Sequence, residues 1–140
     1  MIYTNSDGGA RGNPGPGAIG VIVRDEDKIL IKHASIVGKF VTNNICEYEA
    51  LIKALELASK VTNEEVTCIL DSELVVKQLL GEYRVRHPNM LNLFLKVQKL
   101  IENFERVKFE HVSREDEYQK MVDKMLNKEL DKEGFYKRKN

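Results

Sequence analysis

The chain contains no tryptophan, only two cysteines and three histidines, and equal numbers of basic and acidic residues, 22 of each. Cys46 and Cys68 stand alone without metal-ligand spacing, so both are predicted to be small buried hydrophobes. The scattered histidines argue against a zinc site. Because the charges cancel, composition alone does not indicate a nucleic-acid partner.

Long apolar runs are also missing. No stretch approaches the roughly 18 residues that a membrane-spanning helix needs, and nothing resembles a signal peptide. We therefore expect a cytoplasmic protein without a membrane partner, and we expect it to be a monomer.

The apolar pattern changes its period along the chain and predicts one α/β domain at residues 1–131, followed by a polar, basic tail at residues 132–140. Strands are expected at residues 1–7, 18–24, 28–37, 65–71 and 106–112, and helices at residues 42–60, 72–80, 88–104 and 116–130. A glycine-rich turn at residues 8–17 joins the first two strands. The order βββαβααβα implies a mixed sheet with helices on its faces.

Two acidic residues stand at the ends of predicted strands. Asp7 ends the first strand before a pair of glycines, where an Asp is also common as simple turn chemistry. Asp71 ends the fourth strand and precedes a helix that either it or Ser72 could cap. Ligands of α/β sheets usually bind beyond the carboxyl ends of the parallel strands. Both carboxylates are therefore candidate site residues.

Glu47 is more informative, because Glu49 offers a comparison on the same helix. At 3.6 residues per turn, Glu47 shares a face with Leu51 and Ala54, the face that a sheet would cover. Glu49 instead lies on a stripe of alternating charge. We predict that Glu47 points inward and Glu49 outward.

Asp123 lies on the face of the last predicted helix that carries Leu126 and Leu130. It comes a turn and a half after the helix start, too late to cap it. Asp116 and Glu117 are better explained as first-turn acids that the helix dipole favours. Asp123 is therefore predicted to be a second inward-facing acid on a helix.

Together, Asp7, Glu47, Asp71 and Asp123 predict a metal site. Buried carboxylates are costly unless a cation neutralises them. Ligation by oxygen alone suits Mg²⁺ or Mn²⁺. Two such ions, about 3.5–4 Å apart, would clamp the attacking and the leaving oxygen of an in-line phosphoryl displacement. The four acids thus predict a metal-dependent phosphodiesterase, in which they are both metal ligands and catalytic residues.

Four segments carry a family resemblance: YTNSDGGARGNPGPGAIG, TNNICEYEAL, LDSELVVKQL and the final helix with VDKMLN. In their order and spacing, the chain resembles ribonuclease H type 1 over nearly its whole length. The resemblance implies a five-stranded mixed sheet, with three antiparallel strands and then two parallel ones, flanked by helices. It also implies an endonuclease that cleaves the RNA strand of RNA–DNA hybrids, leaving 5′-phosphate and 3′-hydroxyl ends. The four acids match the residues that bind metal in this family, which implies two ions per site when substrate is bound.

The resemblance extends to the residues that hold the hybrid. The matching positions are Gly8, Gly9, Asn13, Thr42, Asn43, Asn44 and Glu73. The glycines and asparagines match positions at the minor groove, where 2′-hydroxyls distinguish RNA from DNA. Thr42 matches a residue that grips a DNA-strand phosphate, although it could equally cap the helix. Glu73 replaces a glutamine common in the bacterial form and places a fifth acid beside the site.

Two further departures from the family pattern affect the expectation. The loop at residues 113–117 lacks the histidine that many members carry there, so either Arg114 or Glu115 substitutes for it or the step goes unassisted. The single helix at residues 88–104 leaves no room for the basic protrusion of some bacterial members. The chain resembles the compact form found in archaea. Because the basic protrusion is missing, we expect weaker electrostatic attraction to nucleic acid.

Three alternatives stay open. The first is a non-catalytic module of the same fold that binds hybrids or double-stranded RNA, and the presence of all four acids weighs against it. The second is a nuclease that also cleaves double-stranded RNA, since the minor-groove residues would serve any duplex containing RNA. The third, a small-molecule phosphatase, lacks a nucleophile motif and leaves the asparagines unexplained.

Overall fold

The computed structural model describes residues 1–136, as five strands and four helices. The strands are β1 (Ile2–Ala10), β2 (Gly15–Arg24), β3 (Ile29–Val41), β4 (Glu65–Leu70) and β5 (Arg106–His111). The helices are α1 (Asn43–Ala58), α2 (Glu73–Leu79), α3 (Pro88–Ile101) and α4 (Glu117–Lys132). The types and order of these elements agree with the prediction. The end of the predicted tail, residues 137–140, lies outside the described part.

The strands form one mixed sheet in the order β3-β2-β1-β4-β5. β1, β2 and β3 make an antiparallel meander, and β4 and β5 add parallel strands beside β1. The expected fold class is therefore confirmed. β2 is inside the sheet and buried on both faces from Ala18 to Val23, which explains why its apolar residues run continuously instead of alternating.

Helices cover both faces of the sheet. On one face α1 lies between the sheet and α3, and its Tyr48, Leu51 and Leu55 pack in one core cluster with Val97 of α3. On the other face, residues of α4 form a second cluster with the sheet: Leu126 and Leu130 with Ala18. Each fully buried aliphatic side chain of this kind stabilises the fold by about 1.5–3 kcal/mol. Both cysteines are buried, as predicted.

The predicted glycine-rich turn at residues 8–17 is wrong at both ends. β1 continues through Gly8, Gly9 and Ala10, which pair with Ile19, Ala18 and Gly17 of β2. Gly8 serves helix packing instead of a turn, as does Gly20 of β2, whereas Gly12, with a φ of 94°, is in the short turn that remains. A Cβ atom on Gly8 would lie 2.2 Å from the carbonyl oxygen of Cys46 in α1, and one on Gly20 would lie 2.3 Å from that of Val122 in α4. Residues without a Cβ let both helices approach the sheet closely.

Other boundaries move less. β3 ends at Val41 instead of residue 37, and α3 ends at Ile101 instead of residue 104. Beyond α4, Phe135 packs against the second core cluster, and the division between domain and tail at residue 131 stays a prediction. Within residues 1–136, no helix combines the length and the apolar character needed to cross a membrane.

Candidate active site

Asp7 and Asp71 lie where two parallel strands separate. The ladder between β1 and β4 ends at the pair formed by Ser6 and Leu70, and the two aspartates are the residues that come next in the chain after this pair. Beyond this point β1 pairs only with β2. The two carboxylates therefore share the carboxyl edge of the parallel part of the sheet, where ligands of α/β proteins bind.

Local capping leaves Asp71 free for another role. Ser72 is the N-cap of α2, and its hydroxyl oxygen accepts a hydrogen bond from the Val75 amide at 3.3 Å. Asp71 is therefore not needed as the cap. Asp116 caps α4 in the same manner, accepting from the amides of Tyr118 and Gln119. It was predicted to be a first-turn acid together with Glu117, and of the two only Glu117 lies in the first turn.

Glu47 reaches the same edge from α1. The close contact between α1 and Gly8 brings it there, and the Gly8 amide donates to Glu47 Oε1 at 3.3 Å. Glu47 is 8% exposed, whereas Glu49 is only partly buried. The predicted inward position of Glu47 is confirmed, whereas Glu49 is half-buried instead of fully exposed.

One carboxylate oxygen from each of Asp7, Glu47 and Asp71 lies within 4.8 Å of the others. Burial raises the pKa of all three groups, and for Asp7 the next cause is the negative charge of Glu47. Glu47 Oε2 is buried without a hydrogen-bond partner in the structure. An oxygen-only donor set, an unpartnered buried oxygen and carboxylates that resist ionisation together are the features of a site for a divalent cation.

Asp123 was expected to face inward, and this is wrong. α4 packs on the sheet through Val122, Leu126 and Leu130, while Asp123 is exposed on the flank of the helix. Its carboxylate is outside the group formed by Asp7, Glu47 and Asp71. It nevertheless lines the same open cleft, because α4 runs along one side of that cleft.

The cleft has a volume of about 810 Å³ and is lined mainly by polar side chains. Its lining residues are Asp7, Gly8, Gly9, Asn43, Asn44, Glu47, Asp71, Ser72, Glu73, Arg114, Glu115, Lys120, Asp123 and Asn127. It thus joins the four acids to five of the seven predicted substrate-binding residues.

The other two predicted substrate-binding residues, Asn13 and Thr42, are not among the lining residues, and both make hydrogen bonds at the start of α1. Asn13 Oδ1 accepts from the Asn43 amide at 3.0 Å, and Asn43 Oδ1 accepts from the Ala10 amide at 2.8 Å. These bonds tie the β1–β2 hairpin to the start of α1. Thr42 Oγ1 accepts from the Ile45 amide at 3.2 Å, so Thr42 is the N-cap of α1.

Cationic side chains also enter the cleft. Arg114 Nε lies 3.9 Å from Asp71 Oδ2, and Lys120 Nζ lies 3.1 Å from Glu115 Oε2. The loop that lacks a histidine therefore brings Arg114 and Glu115 to the acidic cluster. Lys120 is not among the residues predicted for the site, although it precedes Asp123 by one turn of α4. Helical spacing around that acid would have indicated it.

A five-stranded mixed sheet that gathers carboxylates at the end of its parallel strands defines a ribonuclease H-like domain. A family model described as reverse transcriptase-like matches residues 5–128, and the chain belongs to this family.

Named relatives agree with this classification. The chain is 38% identical over 115 residues to the bifunctional protein Rv2228c of Mycobacterium tuberculosis, covering 81% of this chain and 31% of that protein. It is 34% identical over 131 residues to ribonuclease HI of Halobacterium salinarum, covering 93% of this chain and 64% of that protein. Thus it spans less than a third of Rv2228c and under two thirds of the Halobacterium enzyme.

A solved structure is similar over almost the full length. LC11-RNase H1, determined in complex with an RNA/DNA hybrid, has a TM-score of 0.86 and 37% sequence identity. The match covers 95% of this chain and 99% of that one.

Proposed function

We propose that this protein is an endoribonuclease that hydrolyses the RNA strand of RNA–DNA hybrids and leaves 5′-phosphate and 3′-hydroxyl ends. The observation that carries the proposal is the group of three carboxylates, within 4.8 Å of one another, at the edge of an open polar cleft. Support comes from the similar proteins named ribonuclease H and from the similar structure that holds an RNA/DNA hybrid.

Asp7, Glu47 and Asp71 would hold one divalent ion, and Asp123 would complete a second site together with the aspartates. The donor set fits Mg²⁺ or Mn²⁺, since it offers only oxygen atoms and includes a buried oxygen that has no other partner. Two ions bound there would supply an activated water nucleophile and would stabilise negative charge on the attacking and leaving oxygens.

The chain's own groups bind and orient the duplex. The backbone at Gly8 and Gly9 and the amides of Asn43 and Asn44 line the cleft. In this position they can donate to and accept from the 2′-hydroxyls of a minor groove, which distinguish RNA from DNA. Asn13 at the minor groove and Thr42 at a DNA-strand phosphate complete the proposed contacts, and they also fix the hairpin and the helix that carry these groups.

Charges in the cleft suit a phosphodiester. Arg114 and Lys120 place cationic groups beside the acids, where each can contact a phosphate oxygen. Glu73 pairs with Lys77 at 2.8 Å, which compensates the fifth negative charge at the cleft. Glu115 lines the same cleft, where it would transfer a proton to the leaving 3′-oxygen in place of the histidine that the loop lacks.

The test is cleavage of a hybrid labelled on its RNA strand, compared with single-stranded RNA, double-stranded RNA and double-stranded DNA, with Mg²⁺, Mn²⁺ or EDTA. We expect metal-dependent cutting of the hybrid's RNA strand, with ends that a ligase specific for 5′-phosphates accepts. Asp7→Asn and Asp71→Asn should abolish cutting but retain hybrid binding in Ca²⁺. Full activity of either variant would refute the metal assignment.

The substrate range, the oligomeric state and the cellular location are further proposals, and each has its own test. Cutting of double-stranded RNA in the same assay would extend the substrate range to duplexes that contain no DNA. Sedimentation at several protein concentrations tests the expected monomer, and fractionation of the source cells tests the expected cytoplasmic location.

A further inference from the structure

Arg11 occupies a position that the proposed reaction does not explain. It lies in the turn between β1 and β2, yet its side chain is only 9% exposed. Its guanidinium donates to Asp131 Oδ1, to the Phe135 carbonyl, and to both the carbonyl and Oδ1 of Asn127. A single charged side chain from the start of the chain thereby holds the last two turns of α4.

Asn127 connects this arginine to the cleft. Its Oδ1 accepts from Arg11 at 3.0 Å, while its Nδ2 donates to the Asp123 carbonyl at 2.9 Å and to Asp123 Oδ1 at 3.3 Å. The two ends of one amide group thus contact a cation on one side and a carboxylate on the other.

The arginine determines which way this amide points. Arg11 has only donors and stays charged at any accessible pH, so the atom of Asn127 that faces it must be the oxygen. The amide nitrogen is then left facing Asp123. Asp123 is exposed, and this amide is the hydrogen-bond donor that the described residues offer its carboxylate. Without it the carboxylate would rotate freely in solvent.

We infer that Arg11 is a positioning residue for Asp123, acting through the side-chain amide of Asn127. The inference rests on the proposed function, in which Asp123 completes the second ion site. Groups that orient a metal ligand typically change metal affinity or activity by about 10–100-fold when removed. A role in stability alone would instead lower the melting temperature and leave the dependence on metal unchanged.

The experiment measures hybrid cleavage against Mg²⁺ concentration for the wild type, Asn127→Ala, Arg11→Met, Arg11→Lys and the Arg11→Met/Asn127→Ala double variant. We expect Asn127→Ala to raise the half-saturating Mg²⁺ concentration by about tenfold. Arg11→Met should shift it in the same direction, and the double variant should match Asn127→Ala, because both residues act along one path. Arg11→Lys should rescue little, since an ammonium lacks the planar fork that contacts four acceptors.

Val97→Ala is the matched control, because it weakens the other core cluster without touching the cleft. It should lower the melting temperature while the Mg²⁺ dependence stays that of the wild type. If Arg11→Met behaves like Val97→Ala, or if Asn127→Ala has wild-type Mg²⁺ dependence, the inference is overturned.

A second measurement separates this inference from the proposed function. Mn²⁺ binding to the protein alone, followed by calorimetry up to concentrations that fill both ion sites, needs no nucleic acid and no turnover. If the wild type cleaves no hybrid, the proposed function fails, and the calorimetric comparison still decides the role of Arg11. Weaker Mn²⁺ binding by Arg11→Met and Asn127→Ala than by Val97→Ala would support the inference, and equal binding would refute it.

Discussion

Replacing Asp7 with asparagine should stabilise the metal-free protein while it abolishes cleavage. Asp7 is 6% exposed and lies beside Glu47 and Asp71, so its carboxyl is held among other carboxyls with little water. An amide has nearly the same shape and no charge. Its NH₂ group can also donate to the Glu47 oxygen that lacks a partner.

The size of the effect follows from the protonation of Asp7. Burial, and then the charge of Glu47, raise the pKa of Asp7 in the folded protein beyond neutral pH, from an ordinary value of 3.8. Each pH unit between 3.8 and 7 then lowers the free energy of unfolding by about 1.4 kcal/mol. Summed over this interval, the destabilisation at pH 7 is at most about 4 kcal/mol. Water in the cleft and the proton shared with Glu47 reduce this destabilisation. We therefore expect Asp7→Asn to raise the free energy of unfolding at pH 7 by about 2 kcal/mol, or the melting temperature by roughly 6–8 °C.

The sign of the pH dependence is fixed by the direction of the shift. Below the unfolded pKa the carboxyl is protonated in both states and costs nothing. As the pH rises, only the unfolded chain loses the proton, so the wild type is progressively destabilised. The advantage of Asp7→Asn should therefore be small at about pH 4 and largest at about pH 7.

Thermal unfolding in EDTA across this pH range is the assay, with Asp27→Asn, an exposed acid outside the cluster, as the control. Mg²⁺ should then raise the melting temperature of the wild type more than that of Asp7→Asn, because the ion removes the same repulsion. If Asp7→Asn melts at or below the wild-type temperature at neutral pH in EDTA, the reasoning about repulsion in the cluster is refuted.

Three further predictions concern single side chains. Glu47→Gln should reduce hybrid cleavage at least about 100-fold in a Mg²⁺ assay, whereas Glu49→Gln should change it less than about twofold, since only the first is at the cleft. Gly8→Ala should lower the free energy of unfolding by about 3 kcal/mol or more in urea titrations, because its Cβ would overlap the α1 backbone, while Gly9→Ala should be tolerated. Arg24→Met should cost about 1–2 kcal/mol in the same titrations, since the guanidinium lies 4.7 Å and 4.0 Å from the centroids of two tyrosine rings.

The paired variants supply the controls for these predictions. Equal losses of activity in Glu47→Gln and Glu49→Gln would mean that the inner and outer faces of α1 do not differ in function. Equal stability of Gly8→Ala and Gly9→Ala would contradict the close approach of α1 to β1. For Arg24, Lys28→Met provides an exposed cation without a tyrosine contact, and an equal effect there would refute the role of the two rings.

Local patterns in the sequence were sufficient to predict the architecture and the positions of three of the four acids. Asp7 and Asp71 could be recognised because the end of a strand is visible in the sequence as a change of apolar period. Glu47 could be recognised because the 3.6-residue spacing of apolar residues shows which face of the helix is buried. These are properties of neighbours in sequence. The same reasoning failed for Asp123, because helical spacing places a residue on a broad face but does not separate the centre of that face from its flank.

Contacts between distant parts of the chain could not be predicted. Gly8 looked like a turn residue, and only the backbone of α1 against it explains the missing side chain. Gln119 donates to the Ser6 carbonyl across 113 residues of sequence, and Arg11 contacts Asn127 across 116. Nothing in a local window distinguishes such residues from ordinary surface polar groups, since their partners are known only once the helices are docked.

The order in which the acids occur along the chain has a consequence for how the protein is made. Asp7 is in β1, Glu47 in α1 and Asp71 follows β4, but Asp123, and Asn127 that donates to it, belong to α4. A ribosome therefore completes the sheet and the first three acids before it has synthesised the helix that carries the fourth. The nascent chain should bind nucleic acid weakly and cut none until α4 has emerged and docked. Translation of an mRNA truncated before the codons of α4 should therefore yield an inactive fragment.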